Sequence, residues 1–456
     1  MRRSSLGSFG ARFRSGITPC AALALVAWLC PFSPAYGEDH EVGNPWQPYS
    51  ADQLAQNAKP VPSRVIKIPR GKTVFERQRP ELDPLGVRMG GFILYPSLEV
   101  GEEYNDNIFA TDTGTIDDFI TRITPKVSLR SNWNNHALNF FGGGVIGLHH
   151  DNSKEDFEDF NVGTTGRLDV RRNTQIRARL EFQHRHVKRS DPDDTGATEP
   201  TEYDVYIGQL ERFQRFNRLN FTLGGSFERQ DYDDDAVTNN DDRDRNDIEV
   251  SLRAGYEIVP QYEAFVRTAY SIREYDDGHD DSGLDRDSQG YEVVAGVAVD
   301  FGGILFGDFF AGYMSRDYDD ATLSSVDGPT VGADITWNVT PLTTFIGTIK
   351  REILESTSGD GMGNFASGRF LTTVGVSAQH ELLRNLLLGA NISYSNDDYK
   401  GIDRTDNVFK LGLNANYMMN RNLYLRGGYS LRAKDSDVAG ADYVENVVFV
   451  RLQVQY

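Results

Sequence analysis

Cysteine is nearly missing from this chain. Cys20 and Cys30 are the only two in 456 residues, and both stand near the N-terminus. Past Cys30 there is no disulfide, no thiol nucleophile and no cysteine metal site. A basic excess is missing too: Lys and Arg number 47 against 67 Asp and Glu, a formal charge of -20. A nucleic-acid binder needs a basic face to neutralise phosphates, so that class is excluded. No apolar run reaches the roughly 20 residues of a membrane-spanning helix, which excludes a helical transporter. What is abundant is Gly (44), Phe (26) and Tyr (21), too aromatic a composition for a disordered acidic chain.

The N-terminus is a targeting segment. Arg2, Arg3, Arg12 and Arg14 form a basic region without one acid, and Ile17 to Leu29 is an apolar stretch of 13 residues. Ala35-Tyr36-Gly37 places small residues where a signal peptidase needs them, so a secretory signal peptide over 1-37 is expected. A twin-arginine signal fits poorly with the residues after Arg3. Lipidation at Cys30 is rejected because bulky Leu29 precedes it and Pro31 follows. Both cysteines leave with the signal. From Glu38 to Arg88 the chain holds seven of its 17 prolines and no apolar periodicity. Residues 38-88 therefore read as a Pro-rich periplasmic arm, a spacer in preference to a docking segment.

From 89 to 456 the chain alternates. Leu386, Leu388, Ala390, Ile392 and Tyr394 share one parity, and Gly389, Asn391, Ser393 and Ser395 the other. Phe409, Leu411, Leu413, Ala415 and Tyr417 repeat the pattern, as do Ile248, Val250, Leu252 and Tyr256. Period two means strands with one apolar and one polar face. The segments run about 12 to 16 residues, where globular strands usually run 5 or 6. Short connections, such as those near Gln214-Arg215-Phe216, Val259-Pro260 and Gly302-Gly303, alternate with long ones, such as 189-201, 231-246 and 397-406. Eight short and nine long connections imply eighteen strands. The fold class is an all-β transmembrane antiparallel barrel with short periplasmic turns and long extracellular loops. A propeller would put four short strands, not two long ones, in each 40-residue period.

In lipid every backbone N–H and C=O must be paired within the protein, so such a sheet must close. Phe140, Tyr256, Tyr270, Tyr313, Trp337, Tyr394 and Tyr417 are candidates for the aromatic girdles of the outer face. At about 18 strands the lumen is too wide to be filled by side chains and holds water. Its lining candidates are Arg177, Arg179, Arg185, Arg253, Arg267, Arg273, Arg426, Arg432 and Arg451, with Glu181, Glu228, Glu249 and Glu263. Such arginines either form a ladder for anionic solutes or pair with acids across neighbouring strands.

Leu452, Val454 and Tyr456 end the last strand on one parity. A terminal aromatic behind alternating apolar residues resembles the signal by which outer-membrane barrels are recognised by the barrel-assembly machinery. Pro96-Ser97-Leu98-Glu99-Val100, followed by Tyr104-Asn105-Asp106-Asn107-Ile108-Phe109, resembles the opening strand of a family of outer-membrane beta-barrel porins. Trp337-Asn338-Val339-Thr340-Pro341-Leu342-Thr343-Thr344, then Arg351-Glu352, resembles that family's internal turn-and-strand signature. The similarity covers about residues 90 to 456. It implies residence in the outer membrane of a Gram-negative bacterium, among lipid and lipopolysaccharide. It also implies association with polysaccharide export, with a periplasmic polysaccharide export protein as partner. It supplies no catalytic residues.

Little else carries chemistry. His149, His150, His184 and His186 invite a metal reading but read better as surface histidines, and no histidine has an evident catalytic partner. The expectation is therefore a non-enzyme with no metal and no cofactor. Asp231 to Asp247 holds eight Asp and Glu274 to Asp287 seven acids, without the Gly and Glu spacing of a calcium-binding EF-hand loop. They read as solvated loops. The expected function is passage of a hydrophilic solute, with an extracellular polysaccharide as favoured cargo. The alternatives are a loop-plugged barrel that binds a surface ligand and, third, an outer-membrane enzyme.

Overall fold

The computed structural model describes residues 71–194, 196–234, 239–359 and 364–456; the expected signal segment and most of the expected Pro-rich arm lie outside these residues. A three-residue strand, β1 (Val87–Met89), pairs with the start of β2 (Phe92–Asn105). Then follow β3 (Asp118–Ser131), β4 (Ala137–His149), β5 (Phe157–Arg171), β6 (Thr174–His186), β7 (Glu202–Phe216), β8 (Leu219–Tyr232), β9 (Arg245–Val259) and β10 (Tyr262–Tyr275). The second half comprises β11 (Ser288–Asp300), β12 (Leu305–Tyr318), β13 (Val326–Thr340), β14 (Thr343–Leu354), β15 (Gly368–Leu383), β16 (Leu386–Lys400), β17 (Thr405–Met418), β18 (Leu423–Ser436) and β19 (Tyr443–Gln455). Each of β2 to β19 pairs antiparallel with its chain neighbours. β19 returns to β2, from Val447 opposite Asn105 to Gln455 opposite Ser97, so the eighteen-stranded sheet closes. Closure removes both sheet edges, which in lipid would each leave a row of unpaired backbone groups at several kcal/mol apiece.

The two faces are inverted relative to a soluble protein. Ile392, Tyr394, Val450, Leu452 and Val454 are exposed on the outside, as are all seven girdle candidates. On the alternate positions Glu99, Thr124, Asn139, Gln183, Thr222, Ser251, Gln379 and Ser393 are buried on the inner wall. Mid-strand tyrosines of the outer face reach toward the loop ends: Tyr394 Oη donates to Asn407 at 2.6 Å and Tyr429 Oη to Asn446 at 2.7 Å. A phenol with its ring in lipid and its hydroxyl in the polar zone defines an interfacial girdle. At the opposite end Tyr456 is exposed, and its N–H donates to Pro96 O, closing the last strand onto β2.

Two boundaries depart most from the sequence expectation. β7 runs through Phe216, and the turn falls at Asn217–Arg218, where Asn217 takes φ 55°. Asn enters the left-handed region at little cost, which makes it the natural turn residue there. The connection expected at 397–406 shrinks to 401–404, because the acidic strand ends keep pairing: Asp397 lies opposite Asp406 and Asp398 opposite Thr405.

Candidate functional site

The inner wall comes first. All thirteen lumen candidates stand on the inward parity of their strands, and most arginines there meet an acid. Arg426 pairs with Glu99 at 2.7 Å, Arg451 with Glu103 at 2.9 Å, Arg253 with Glu263 at 2.6 Å and Arg267 with Glu292 at 2.7 Å. Arg179 Nε donates to Glu181 at 2.8 Å, and Arg273 bridges Asp247 at 2.7 Å and Glu355. Arg177, nearly half exposed, reaches Glu211 only at 3.4 Å, a contact that contributes about 0.2–1 kcal/mol. Arg185 bonds Tyr203, Arg432 donates to Ser190 at 2.7 Å, Glu228 accepts from Gln230 at 2.8 Å and Glu249 from Ser251 at 3.3 Å. Arg253, Arg267 and Arg451 also lie over the inward rings of Phe265, Phe310 and Phe449 at 4.1, 4.6 and 4.3 Å. Much of the positive charge is thus neutralised within the wall.

At the extracellular mouth two loops meet. Loop 187–201 joins β6 to β7, and loop 355–367 joins β14 to β15. They leave the ring eight strands apart in a circle of eighteen, so they start from nearly opposite sides. Asp193 Oδ1 accepts from Thr357 N–H at 3.1 Å, Ser356 Oγ at 3.2 Å, Thr357 Oγ1 at 3.3 Å and Ser358 Oγ at 3.3 Å. Burial would raise the Asp193 pKa, but Arg369 and Arg243, with the bonds from Thr357 and Ser356, hold the carboxyl below the usual carboxylate range. Arg286, almost wholly buried, donates to Ser356 O at 2.9 Å and Ala366 O at 3.2 Å, and Arg404 donates to Ser358 Oγ at 3.2 Å. On the other loop, Arg189 grips Glu155 with two bonds of 2.8 Å. These contacts bridge the mouth.

At the periplasmic mouth residues 71–86 are a docked segment rather than a free spacer. Val74 N–H donates to Thr344 Oγ1 at 3.1 Å and Phe75 N–H to Gln379 Oε1 at 3.1 Å. Val74 packs with Leu387, Met418 and Tyr424, and Phe75 and Leu82 join them. Arg79, 2 % exposed, pairs with Glu381 at 2.6 Å and donates to Val74 O at 3.0 Å. Arg421 donates to Pro80 O at 2.7 Å and Tyr424 Oη to Leu82 O at 2.9 Å. Thr344, Gln379, Glu381, Leu387, Met418 and Tyr424 all lie on inward positions, so this segment lines the lumen side of the wall from β14 to β18.

The histidines take separate carboxylates. His184 Nδ1 lies 2.8 Å from Asp204 and His186 Nδ1 2.8 Å from Asp159, while His149 is 3.6 Å from Asp156 and His150 3.5 Å from Glu102. Among the described residues no three His, Cys, Asp or Glu side chains group as metal ligands. In the acidic loop 233–244, burial of Asp244 and the neighbouring Asp231 carboxyl push Asp244 up to about 7, against the bond from Tyr232 N–H.

A closed sheet that is apolar outside, charged and polar inside, and spanned by eighteen long strands defines a β-barrel porin of the Gram-negative outer membrane. The chain belongs to the family described as Putative beta-barrel porin 2, whose model matches residues 79–456. Among solved structures it is similar to Pseudomonas aeruginosa OpdL (13% identity, TM-score 0.42, covering 80% of this chain and 99% of that one). It is also similar to Pseudomonas aeruginosa OpdO (13% identity, TM-score 0.44, covering 80% and 97%). No curated protein matches the chain.

Proposed function

We propose that this porin passes a hydrophilic solute across the outer membrane, with an extracellular polysaccharide as cargo and without catalysis. The observation that carries the reading is the inner wall: a polar, ion-paired surface around the whole ring, behind an apolar outer face. A wall in which charge is neutralised in place wets the lumen without trapping a charged solute on it. Lipid and lipopolysaccharide would surround the girdles, the barrel-assembly machinery would recognise Tyr456, Val454 and Leu452, and a periplasmic polysaccharide export protein would meet the mouth lined by residues 71–86. Deleting the gene in a polysaccharide-producing host tests the cargo. Less polymer on the surface with polymer retained in the periplasm is the expected result; an unchanged surface layer contradicts it.

A second reading, a plugged barrel that binds a surface ligand, is favoured by one feature: the loops joined through Asp193 across the extracellular mouth. The two readings separate on conductance, since a plugged barrel carries no current.

A further inference from the structure

The contact between the two loops has the chemistry of a receptor site already filled from within. Asp193 presents a carboxylate to one backbone N–H and three hydroxyls, all of which belong to three consecutive residues, Ser356, Thr357 and Ser358. Consecutive N–H and O–H donors turned toward one oxygen form an anion-binding concavity. Its floor is cationic. Arg369, 2 % exposed at the start of β15, acts on the Asp193 charge together with Arg243 from the loop before β9. The cradle is held from behind. Arg286 fixes the Ser356 and Ala366 carbonyls, and Arg369 is itself oriented by Asp397 at 3.3 Å and by Tyr399 Oη at 3.1 Å. Arg286 is in turn clamped by Asp280 at 2.6 Å. The four donors thus come from the β14–β15 loop, with Arg369 behind them at the start of β15, whereas the carboxylate arrives with Pro192 O from the β6–β7 side, next to the loop that carries Arg243.

We propose that Ser356, Thr357 and Ser358, backed by Arg369 and Arg243, form a binding site for a carboxylate group of the solute, and that Asp193 occupies it until such a carboxylate displaces it. The inference rests on the pore reading and narrows it to carboxylated solutes, such as saccharides bearing uronate groups. Displacement exchanges one carboxylate for another on the same donors, while loop 187–201 gives up its Asp193 contact with the β14–β15 loop and keeps the bonds of Ser190 to Arg432 and of Arg189 to Glu155. A neutral sugar offers no such exchange.

Acetate, the smallest carboxylate, is the probe, with chloride at equal ionic strength as control. The test protein is the full-length barrel carrying Asp193→Ala, or Asp193→Gly should the alanine variant not assemble. A tethered group competes at an effective concentration in the millimolar range, so removing it should lower the half-saturating acetate concentration about tenfold or more. Two readouts report it: thermal unfolding of the detergent-solubilised barrel, and single-channel current. In the Asp193 variants acetate, and not chloride, should raise the unfolding temperature and alter the current. Adding Ser356→Ala, Thr357→Val and Ser358→Ala together should abolish both effects. Equal responses to acetate and chloride, or a response that survives loss of the three donors, overturns the site. Absence of current in wild type and variants alike fails the pore reading instead, and the unfolding readout then still decides the carboxylate site.

Discussion

Arg79 of the arm and Glu381 of β15 stand 302 positions apart in sequence and 2.6 Å apart in space, in an ion pair almost closed to solvent. Removing one partner of such a pair leaves a charge without compensation, at a cost of about 3–5 kcal/mol. Only the arm depends on this pair, so the cost should appear as undocking of residues 71–86 rather than loss of the barrel. In Glu381→Ala, trypsin should cut after Lys72 and Arg77 faster by about a hundredfold or more, while the barrel remains heat-modifiable. An unchanged cleavage rate would show that the apolar cluster around Val74 holds the arm by itself.

Orientation follows from the arm and the loop lengths together. Loops 233–244 and 276–287 should lie outside the cell, and the turn at Pro260 in the periplasm. Epitope tags in the two loops should be labelled on intact cells, and a tag at Pro260 only after permeabilisation. The opposite labelling reverses the assignment.

The acidic loop should loosen as pH rises. Asp244 in the folded chain titrates at about 7, above the ordinary value near 3.8. The folded state therefore holds more protons than the unfolded one between those values, and stability falls as pH rises through that window, levelling off above 7. Arg229, 3.8 Å from Asp244 and 3.0 Å from Asp231, limits the effect, and Asp276 on the next loop shares that arginine. Backbone hydrogen exchange in the described part of 233–244 should be slower at pH 5 than at pH 8, after correction for intrinsic rates. Asp244→Asn keeps an oxygen for Tyr232 N–H and should remove the difference; a difference that persists assigns it elsewhere.

Assembly should depend on the C-terminus. Tyr456 is exposed on the periplasmic rim behind Val454 and Leu452, which face outward. Deleting Tyr456 should lower the yield of folded, heat-modifiable protein in the outer membrane. Full yield would remove its role as a recognition signal.

The barrel was legible in the sequence because period two and strand length survive without any tertiary knowledge. Leu386 to Tyr394 and Val448 to Tyr456 each declare a face by themselves. The ion pairs were legible only by half. Alternation puts Arg426 and Glu99 on the same wall, but β18 and β2 meet only through β19, and the register that brings them together is not written in either strand. The docking of residues 71–86 left no periodic trace, because a segment lying on an inner wall is held by single contacts such as Val74 with Thr344. The Asp193 cradle was invisible for the same reason: its halves are separated by more than 160 positions and join through short polar side chains that are ordinary in any loop.

Single-channel recording of the purified full-length protein in a planar bilayer tests the central claim most directly. A water-filled lumen narrowed by loops 187–201 and 355–367 and by residues 71–86 should give discrete conductance steps, enlarged in Asp193→Ala. A folded barrel that gives no steps, with or without Asp193, would contradict the pore and leave a plugged, ligand-binding barrel in its place.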